Sequence, residues 1–291
     1  MRSLMFVPGD NVAKLAKAMV SGADALIIDL EDSVAASAKE SARETLADFL
    51  LMASPKANRP HLFVRVNSLD TGLIDADLDV VMKGKPDAIV LPKSQGGVDV
   101  THLSAKLAVR EAENNLPDGS TRIIAIATET AKAVFGLGTY AGSSNRLVGM
   151  TWGGEDLSAD IGAETNRKAD GTYAGPYMLA RSLTLLGAAA SEVAAIDTIY
   201  TNYRDLDGLK AECEAARRDG FIAKMAIHPG QIPIINESFS PTAEALAKAL
   251  AIVEAFAANP GAGVIGLNGE MLDVPHLRRA QRTLARQPRG V

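Results

Sequence analysis

The chain has 291 residues, of which 47% are hydrophobic and 22% charged, and its formal net charge is −5. This balance is typical of a soluble globular protein and excludes a disordered or strongly basic chain, so we expect no nucleic-acid partner. The single cysteine, Cys213, excludes an internal disulfide and a cysteine-built zinc site. The N-terminus does not resemble a signal peptide, and no apolar run is long enough for a transmembrane helix, so we expect a cytoplasmic protein without a membrane partner.

Short apolar runs alternate along the chain with longer segments of helical period. The predicted strands are Ser3–Val7, Ala25–Leu30, Leu62–Val66, Ala88–Leu91, Ile123–Ala127, Leu147–Thr151, Val193–Ile199 and Ile222–Ile227. The predicted helices between them are Val12–Val20, Ala38–Met52, Thr101–Asn114, Pro176–Leu186 and Leu206–Arg218, and only short helices fit after Val66 and after Thr128.

Nearly continuous apolar strands separated by helices favour a parallel sheet that is covered on both faces. The number of strand–helix units and the length of the chain match a (β/α)₈ barrel of the TIM-barrel type. The alternative is an open doubly wound sheet, which usually carries a Gly-rich phosphate-binding turn after its first strand. The turn Pro8-Gly9-Asp10-Asn11 does not have that pattern, so the barrel is preferred.

A C-terminal segment follows the last predicted strand. The pattern predicts a helix over Thr242–Ala257, a Gly-rich loop over Asn259–Gly269 and a last stretch over Met271–Leu284 that ends in a helix. We therefore predict a catalytic barrel over residues 1–240 and a helical extension over residues 241–291. Such an extension is typical of a lid or a subunit contact.

Charged and polar side chains follow most of the predicted strands. The residues at these ends are Asp29, Glu31, Asp32, Arg65, Asn67, Lys93, Glu129, Glu155, Asp156 and His228. Singly, each has a structural explanation: Asp32 or Asp156 as a helix N-cap, Arg65 in an internal ion pair, and His228 at a helix start. Together they favour a functional site, because the carboxyl ends of barrel strands carry catalytic groups and many charges would meet at one desolvated mouth.

The residue types at this mouth indicate a metal-assisted reaction beside a carbonyl group. Glu129 and Asp156 follow neighbouring strands and offer two carboxylates, which Mg²⁺ accepts while water and substrate complete its octahedron. Arg65 has the planar fork that suits a substrate carboxylate or an enolate oxygen. Proton transfer or carbon–carbon cleavage beside a carbonyl is the predicted class. A Schiff-base lysine remains an alternative, with Lys93 and Lys224 as candidates, although Lys93 also suits a charge partner for the carboxylates.

Short motifs are spread from Arg2 to about Leu284. They are Arg2-Ser3-Leu4 with Phe6-Val7-Pro8-Gly9, Asp29-Leu30-Glu31-Asp32-Ser33-Val34, Val64-Arg65-Val66-Asn67, Leu91-Pro92-Lys93, Glu129-Thr130, Gly153-x-x-Asp156-Leu157, Lys224-x-x-Ile227-His228-Pro229-x-Gln231 and Asn236-x-x-Phe239-x-Pro241. In this order they resemble the citrate lyase β-subunit/malyl-CoA lyase family. The resemblance implies a Mg²⁺-dependent barrel that acts on 3-hydroxy-dicarboxylic acyl thioesters and assembles as a homotrimer or homohexamer.

The resemblance also implies roles for single residues. Glu129 and Asp156 would be the metal ligands, and Arg65 would hold the substrate near the metal. Phe6 and Lys17 match positions that contact the CoA moiety. The predicted substrate-binding set is completed by residues at the ends of strands five, six and eight, namely Glu129, Glu155, Ile227 and His228.

Asp273, in the motif Met271-Leu272-Asp273-x-Pro275, is the candidate acid/base. The resemblance implies that it closes the site of a neighbouring subunit, whereas its structural alternative is an N-cap for the helix over residues 275–284. Two positions depart from the family pattern. Asn11 replaces an arginine that helps to bind CoA in some relatives, and Asn268 replaces the usual acidic residue before a lid glycine.

The expected reaction is a reversible Claisen-type cleavage of malyl-CoA, methylmalyl-CoA or citramalyl-CoA to an acyl-CoA and glyoxylate or pyruvate. Three alternatives stay open at this point. The protein could hydrolyse the thioester of (3S)-malyl-CoA, or act as a citrate lyase β-subunit on an acyl-carrier-protein thioester, or bind a ligand without catalysis.

Overall fold

The eight predicted strands are all present in the computed structural model, which describes residues 1–287, and they form a closed parallel barrel. They are β1 (Ser3–Pro8), β2 (Ala25–Asp29), β3 (His61–Arg65), β4 (Ala88–Leu91), β5 (Arg122–Ile126), β6 (Leu147–Thr151), β7 (Ala194–Asp197) and β8 (Ala223–Ala226). Each strand pairs with the next along the chain, and β8 pairs with β1 to close the ring. The prediction of a (β/α)₈ barrel is therefore confirmed.

The barrel interior is filled by alternate side chains of the strands, because successive residues of a strand point to opposite faces. Small residues such as Ala25, Ala88 and Ala223 lie in one cluster with large ones such as Phe63 and Ile196. All residues of β2 are buried, since the opposite face is covered by helices. This double burial explains why the strands read as continuous apolar runs rather than as alternating patterns.

Helices cover the outside of the barrel between consecutive strands. They are α1 (Val12–Ala18), α2 (Lys39–Ala53), α3 (Ile74–Val81), α4 (Gly97–Glu113), α5 (Ala131–Gly136), α6 (Gly154–Asp160), α7 (Gly175–Ala190) and α8 (Leu206–Asp219). The short helices expected after Val66 and after Thr128 correspond to α3 and α5. The helix α6 was not predicted, because Gly153 and Gly154 interrupt the helical pattern at its first turn.

Asn11, one of the two departures from the family pattern, has a structural role in this protein. It is the N-cap of α1, and its side-chain oxygen accepts a hydrogen bond of 2.9 Å from the backbone N–H of Lys14. Asparagine is among the best N-cap residues because its short side chain reaches the unpaired N–H groups of the first turn.

The chain divides into two compact units, Met1–Asn236 and a second that begins at Glu237. The helix α9 (Ile232–Phe239) spans this boundary, which lies a few residues before the predicted one. The second unit contains α10 (Ala243–Ala257), a two-stranded sheet of β9 (Val264–Leu267) and β10 (Glu270–Asp273), and α11 (Val274–Ala285). Its core includes Ile252, Phe256, Ile265 and Leu272. Residues 288–291 of the predicted extension lie outside the described residues.

The predicted loop over Asn259–Gly269 is wrong from Val264 onwards, because this stretch enters an antiparallel hairpin. Leu267 pairs with Glu270, so Asn268 and Gly269 form a two-residue turn, with φ of 50° and 82°. Asn-Gly is the preferred pair for such a turn, since both positions need a positive φ. The last helix begins at Val274, one residue before the predicted start at Pro275.

Within residues 1–287, no helix combines the length and the hydropathy that crossing a membrane requires.

Candidate active site

A cavity of about 380 Å³ opens among residues that follow the carboxyl ends of the barrel strands. One part of its wall is apolar and includes Phe6, Ile126, Trp152, Ile199, Met225 and Ile227. The other part is charged and includes Asp29, Asp32, Arg65, Glu129, Glu155 and Asp156. The barrel thus brings six predicted site residues to one cavity: Phe6, Arg65, Glu129, Glu155, Asp156 and Ile227.

Arg65, at the end of β3, is fixed by a bidentate ion pair. Its Nε and Nη2 atoms each lie 2.7 Å from an oxygen of Asp29, and its guanidinium lies 4.9 Å from the centroid of the Phe6 ring. Burial alone would raise the pKa of Asp29, but the hydrogen bonds and charge of Arg65 outweigh it and hold that pKa below its ordinary value. The internal ion pair considered from the sequence is confirmed, and the same guanidinium also lines the cavity.

Glu129 follows β5 and is almost completely buried, with 2% of its surface exposed. Its Oε2 atom accepts a hydrogen bond from the backbone N–H of Lys93. Burial first, and then the negative charges of Glu31 and Asp156, raise the pKa of Glu129 to about 8. The charge of Arg65 lowers this pKa but does not outweigh these effects, so a negative charge on Glu129 is unfavourable unless a further cation binds.

Asp156 lies in the first turn of α6, directly after β6, and its side chain is 36% exposed. It is not a helix cap, because the N-cap of α6 is Gly153. The structural alternative considered for Asp156 is therefore wrong. The neighbouring Glu155 is exposed, and its Oε1 accepts a hydrogen bond of 2.7 Å from Asn166 Nδ2.

Lys93 and Lys224 are both held as ammonium ions, which argues against a Schiff base at either residue. Burial lowers the pKa of Lys93, but its hydrogen bond and ion pair with Glu31 outweigh this and raise it well above the ordinary value. Lys224 is fully buried and lies 2.7 Å from Asp197 and 2.8 Å from Glu212. These carboxylates likewise outweigh burial and raise the pKa of Lys224. A lysine nucleophile would need the opposite shift.

Two residues of the predicted substrate-binding set do not line the cavity. Lys17 is exposed on α1. His228 caps the turn Pro229–Gln231, where its Nδ1 accepts a hydrogen bond of 3.0 Å from the Gly230 N–H, and its ring stacks on Tyr203 at 4.9 Å. The structural alternative for His228 is thus confirmed, while contact with a long substrate arm outside the cavity stays a prediction for both residues.

Asp273 is the N-cap of α11, as its structural alternative predicted. Its carboxylate accepts a hydrogen bond from the backbone N–H of His276, and its own backbone N–H donates a hydrogen bond to Nδ1 of the His276 ring. The hydrogen bond with His276 lowers the pKa of Asp273 below its ordinary value. This arrangement explains the local geometry, and the acid/base role of Asp273 stays a prediction.

Trp152 was not identified from the sequence, although it lines the cavity directly after β6. Its indole N–H donates a hydrogen bond of 2.8 Å to Asp197, and its ring packs edge-on against Tyr173 at 4.9 Å. The signal was available, because the single tryptophan of the chain follows a strand and a buried indole N–H needs a partner. Thr198 and Ile199, predicted as strand, instead follow β7 and line the cavity.

Gly153 is required by the close packing of Glu129. A Cβ atom added at Gly153 would lie 2.7 Å from Glu129 Cγ, closer than real Cβ contacts. We expect Gly153→Ala to displace the Glu129 carboxylate and to weaken divalent-cation binding. Overpacking should also lower the free energy of unfolding by about 1–3 kcal/mol. Isothermal calorimetry with MgCl₂ measures this effect. Gly138→Ala is the matched control, since a Cβ there meets nothing within 4 Å. Equal Mg²⁺ affinities of the two variants would contradict the prediction.

A (β/α)₈ barrel with buried carboxylates and an arginine at its strand ends is the arrangement of a barrel enzyme. A family model described as HpcH/HpaI aldolase/citrate lyase matches residues 2–229. The chain belongs to this family, which confirms the resemblance drawn from its motifs.

Individual relatives cover nearly the whole chain. It is 34% identical to the citrate lyase subunit beta of Leuconostoc mesenteroides subsp. cremoris, over 97% of this chain and 92% of that protein. It is 32% identical to the mitochondrial citramalyl-CoA lyase of Rattus norvegicus, over 96% and 84%. It is 34% identical to a (3S)-malyl-CoA thioesterase of Cereibacter sphaeroides, over 98% and 94%.

Among solved structures, the protein CitE from Mycobacterium tuberculosis in complex with magnesium, acetoacetate and coenzyme A is similar to this chain. The TM-score is 0.78 at 32% sequence identity, and the match covers 98% of this chain and 97% of that one.

Proposed function

We propose that this protein is a Mg²⁺-dependent carbon–carbon lyase that acts on a 3-hydroxy-dicarboxylic acyl-CoA. The substrate class includes malyl-CoA, methylmalyl-CoA and citramalyl-CoA, and the products are an acyl-CoA and glyoxylate or pyruvate. The observation that carries the proposal is the convergence of Arg65, Glu129 and Asp156 on one cavity with an apolar wall. The citramalyl-CoA lyase relative and the CitE complex with magnesium and coenzyme A support it.

The residues present fit a bound Mg²⁺ ion. Within residues 1–287, no three His, Cys, Asp or Glu side chains form a metal cluster, but Mg²⁺ needs only one or two carboxylates when water and substrate complete its octahedron. Glu129 and Asp156 supply these carboxylates, and a dication would offset the unfavourable buried charge of Glu129. When bound, the ion supplies Lewis-acid polarisation of the substrate oxygens.

Arg65 is preorganised to bind the substrate. Asp29 occupies Nε and Nη2 and the Phe6 ring lies against the guanidinium, so the side chain loses little freedom when a ligand arrives. Its Nη1 atom lies 2.9 Å from Glu31 Oε2, so the carboxylate of the departing keto acid, or the oxygen on which charge develops, would share the guanidinium with Glu31. Phe6 and Ile227 would contact the apolar part of the thioester arm.

Asp273 of a neighbouring subunit would act as the acid/base in a homotrimer or homohexamer. In cleavage, the ionised carboxylate of Asp273 would take the 3-hydroxyl proton as the C2–C3 bond breaks, which releases the keto acid and leaves an acyl-CoA enolate. Asp273 would then return this proton to the enolate carbon, and in the reverse direction it would carry a proton from the acyl-CoA to the new hydroxyl group. The lowered pKa of Asp273 supports the ionised resting form that this cycle requires.

Product analysis tests the proposal. The purified protein is incubated with Mg²⁺ and each of the three CoA thioesters, and free CoA, acyl-CoA and keto acid are quantified together. We expect equal amounts of acyl-CoA and of glyoxylate or pyruvate, with little free CoA. Because the three substrates differ by single methyl groups, we expect discrimination among them of only about 1–3 kcal/mol. Release of CoA and an intact hydroxy-diacid would contradict the proposal.

Two other activities have relatives that favour them. The Cereibacter sphaeroides relative favours hydrolysis of the thioester, which the same assay detects as free CoA without keto acid. The Leuconostoc mesenteroides relative favours a β-subunit role in a citrate lyase. Activity that appears only with an acyl-carrier-protein thioester would identify this second alternative.

A further inference from the structure

Lys93 has an unusual backbone conformation directly after β4. Its φ is 51°, in the left-handed region, which residues other than glycine adopt mainly where the surroundings hold them. In this conformation its backbone N–H donates a hydrogen bond to Oε2 of Glu129. The backbone of Lys93 therefore orients one of the two proposed metal ligands.

The side chain of Lys93 contacts a different group of carboxylates. Its Nζ atom forms an ion pair with Glu31 and lies 3.4 Å from Asp32. It lies 3.9 Å from Asp156, at the edge of ion-pair distance. A single residue thus touches four carboxylates, one through its backbone and three through its ammonium group.

Glu31 is buried between two cations. It is 5% exposed, its Oε1 pairs with Lys93 Nζ, and its Oε2 lies 2.9 Å from Arg65 Nη1. Asp32 is shared in the same way, with Oδ1 3.4 Å from Lys93 Nζ and Oδ2 3.7 Å from Arg65 Nη1. Loss of the Lys93 ammonium would therefore free one oxygen of each carboxylate as a possible ligand, while Arg65 would keep the other.

We propose that Lys93 divides the carboxylates of the mouth into metal ligands and non-ligands. Its backbone N–H orients Glu129 towards the metal position, and its ammonium keeps Glu31 and Asp32 as ion-pair partners. The divalent cation is then held by Glu129 and Asp156 alone. This inference rests on the proposed Mg²⁺ site and makes Lys93 a positioning residue that sets metal selectivity.

Selectivity follows from the number of carboxylates. Ca²⁺ takes six to eight oxygen ligands in flexible geometry, whereas Mg²⁺ keeps several waters and needs one or two carboxylates. A site with only Glu129 and Asp156 as carboxylate ligands favours Mg²⁺. A site in which Glu31 and Asp32 are also free to bind the ion favours Ca²⁺.

Calorimetric titration of Lys93→Met with MgCl₂ and CaCl₂ tests the role of the ammonium. Methionine keeps a long apolar stem and the backbone N–H but has no charge. We expect Ca²⁺ affinity to rise by about tenfold or more, and by more than Mg²⁺ affinity, because carboxylates are released as ligands. An equal rise for both ions would show that only a repulsive charge was removed, and unchanged affinities would show no role at all. Either result overturns the proposal.

Two further variants make the test specific. Lys93→Met combined with Glu31→Gln should return the Ca²⁺/Mg²⁺ affinity ratio to nearly the wild-type value, because the released ligand is gone. Lys93→Arg keeps the charge and should keep the ratio. Lys93→Gln replaces Lys93→Met if the latter does not fold, as judged by circular dichroism. Wild-type protein that binds Mg²⁺ but yields no lyase products would contradict the proposed reaction while leaving the selectivity test intact.

The backbone role is tested by comparing Lys93→Gly with Lys93→Ala, which both lack the ammonium. Glycine adopts a positive φ without strain, whereas alanine does not. We expect the glycine variant to unfold about 2–4 °C higher than the alanine variant and to bind Mg²⁺ at least as tightly. Equal unfolding midpoints would overturn the backbone part of the proposal.

Discussion

Asp273→Asn is expected to lower turnover by about 10²–10⁴-fold while leaving Mg²⁺ affinity and thermal stability near those of the wild type. Asparagine is as good an N-cap as aspartate, so it keeps the bond from the His276 N–H at the start of α11. It cannot take up or deliver a proton, however. The variant therefore separates the proposed catalytic role of Asp273 from its capping role. Steady-state kinetics with the best thioester substrate, together with calorimetry, measure both parts.

Thr242→Ala is the matched control for loss of a cap. Thr242 is the N-cap of α10 in the same unit, and its hydroxyl accepts a hydrogen bond of 3.1 Å from the Ala245 N–H. Its removal should cost about 0.5–2 kcal/mol of stability, as Asp273→Ala should, but leave turnover nearly unchanged. Wild-type turnover in Asp273→Asn would exclude Asp273 as the acid/base.

Glu129→Gln is expected to abolish Mg²⁺ binding and, with it, lyase activity. Glutamine keeps the shape of the side chain and can still accept the hydrogen bond from Lys93 N–H, but it lacks the charge that a dication requires. Saturating MgCl₂ should raise the unfolding temperature of the wild type and not that of the variant, because only a ligand that binds the folded state stabilises it. Glu113→Gln, at an exposed position on α4, is the control.

The same substitution should stabilise the metal-free protein, and more so as the pH rises. The pKa of Glu129 is raised to about 8 in the folded state, above its ordinary value of 4.5. Between these two values the folded protein holds a proton that the unfolded chain has released, so the stability of the wild type falls as the pH increases. Glutamine removes this penalty. We expect its stability advantage in EDTA to be about 2–4 kcal/mol larger at pH 8 than at pH 5.

Thermal or urea unfolding at the two pH values measures this advantage. An advantage that is constant or that shrinks towards pH 8 would show that the Glu129 carboxyl is not destabilised by its surroundings. The expected result, a buried carboxylate that destabilises the metal-free protein, is typical of a site in which stability is sacrificed for function.

The barrel could be predicted because its signal is local and repeated. Eight apolar runs separated by helical segments define the order of elements, and burial on both faces produces those runs directly. The hairpin of β9 and β10 was missed for the opposite reason. Val264–Leu267 contains only three apolar residues, interrupted by Gly266, within a Gly-rich stretch, so its pattern predicts a loop rather than a hairpin with an Asn268-Gly269 turn.

The position of the candidate site could also be predicted, since strand ends in a closed parallel barrel meet at one mouth. Its internal partners could not. Arg65 pairs with Asp29 because the register of β2 and β3 places them side by side. Lys93, after β4, reaches past β3 to Glu31, which follows β2. Sequence order alone leaves many such pairings possible.

By itself, the sequence determined the class of fold, the strand ends that carry charge and the family resemblance, because period, composition and motif order are properties of the chain. Only the tertiary structure decided which charges are satisfied. It showed Arg65 locked onto Asp29, Glu129 so deeply buried that the charge of Arg65 does not keep its pKa low, and Lys93 in a left-handed conformation between two sets of carboxylates. The reason is that burial and the distances between charges depend on how distant segments pack, and these set the pKa of each group.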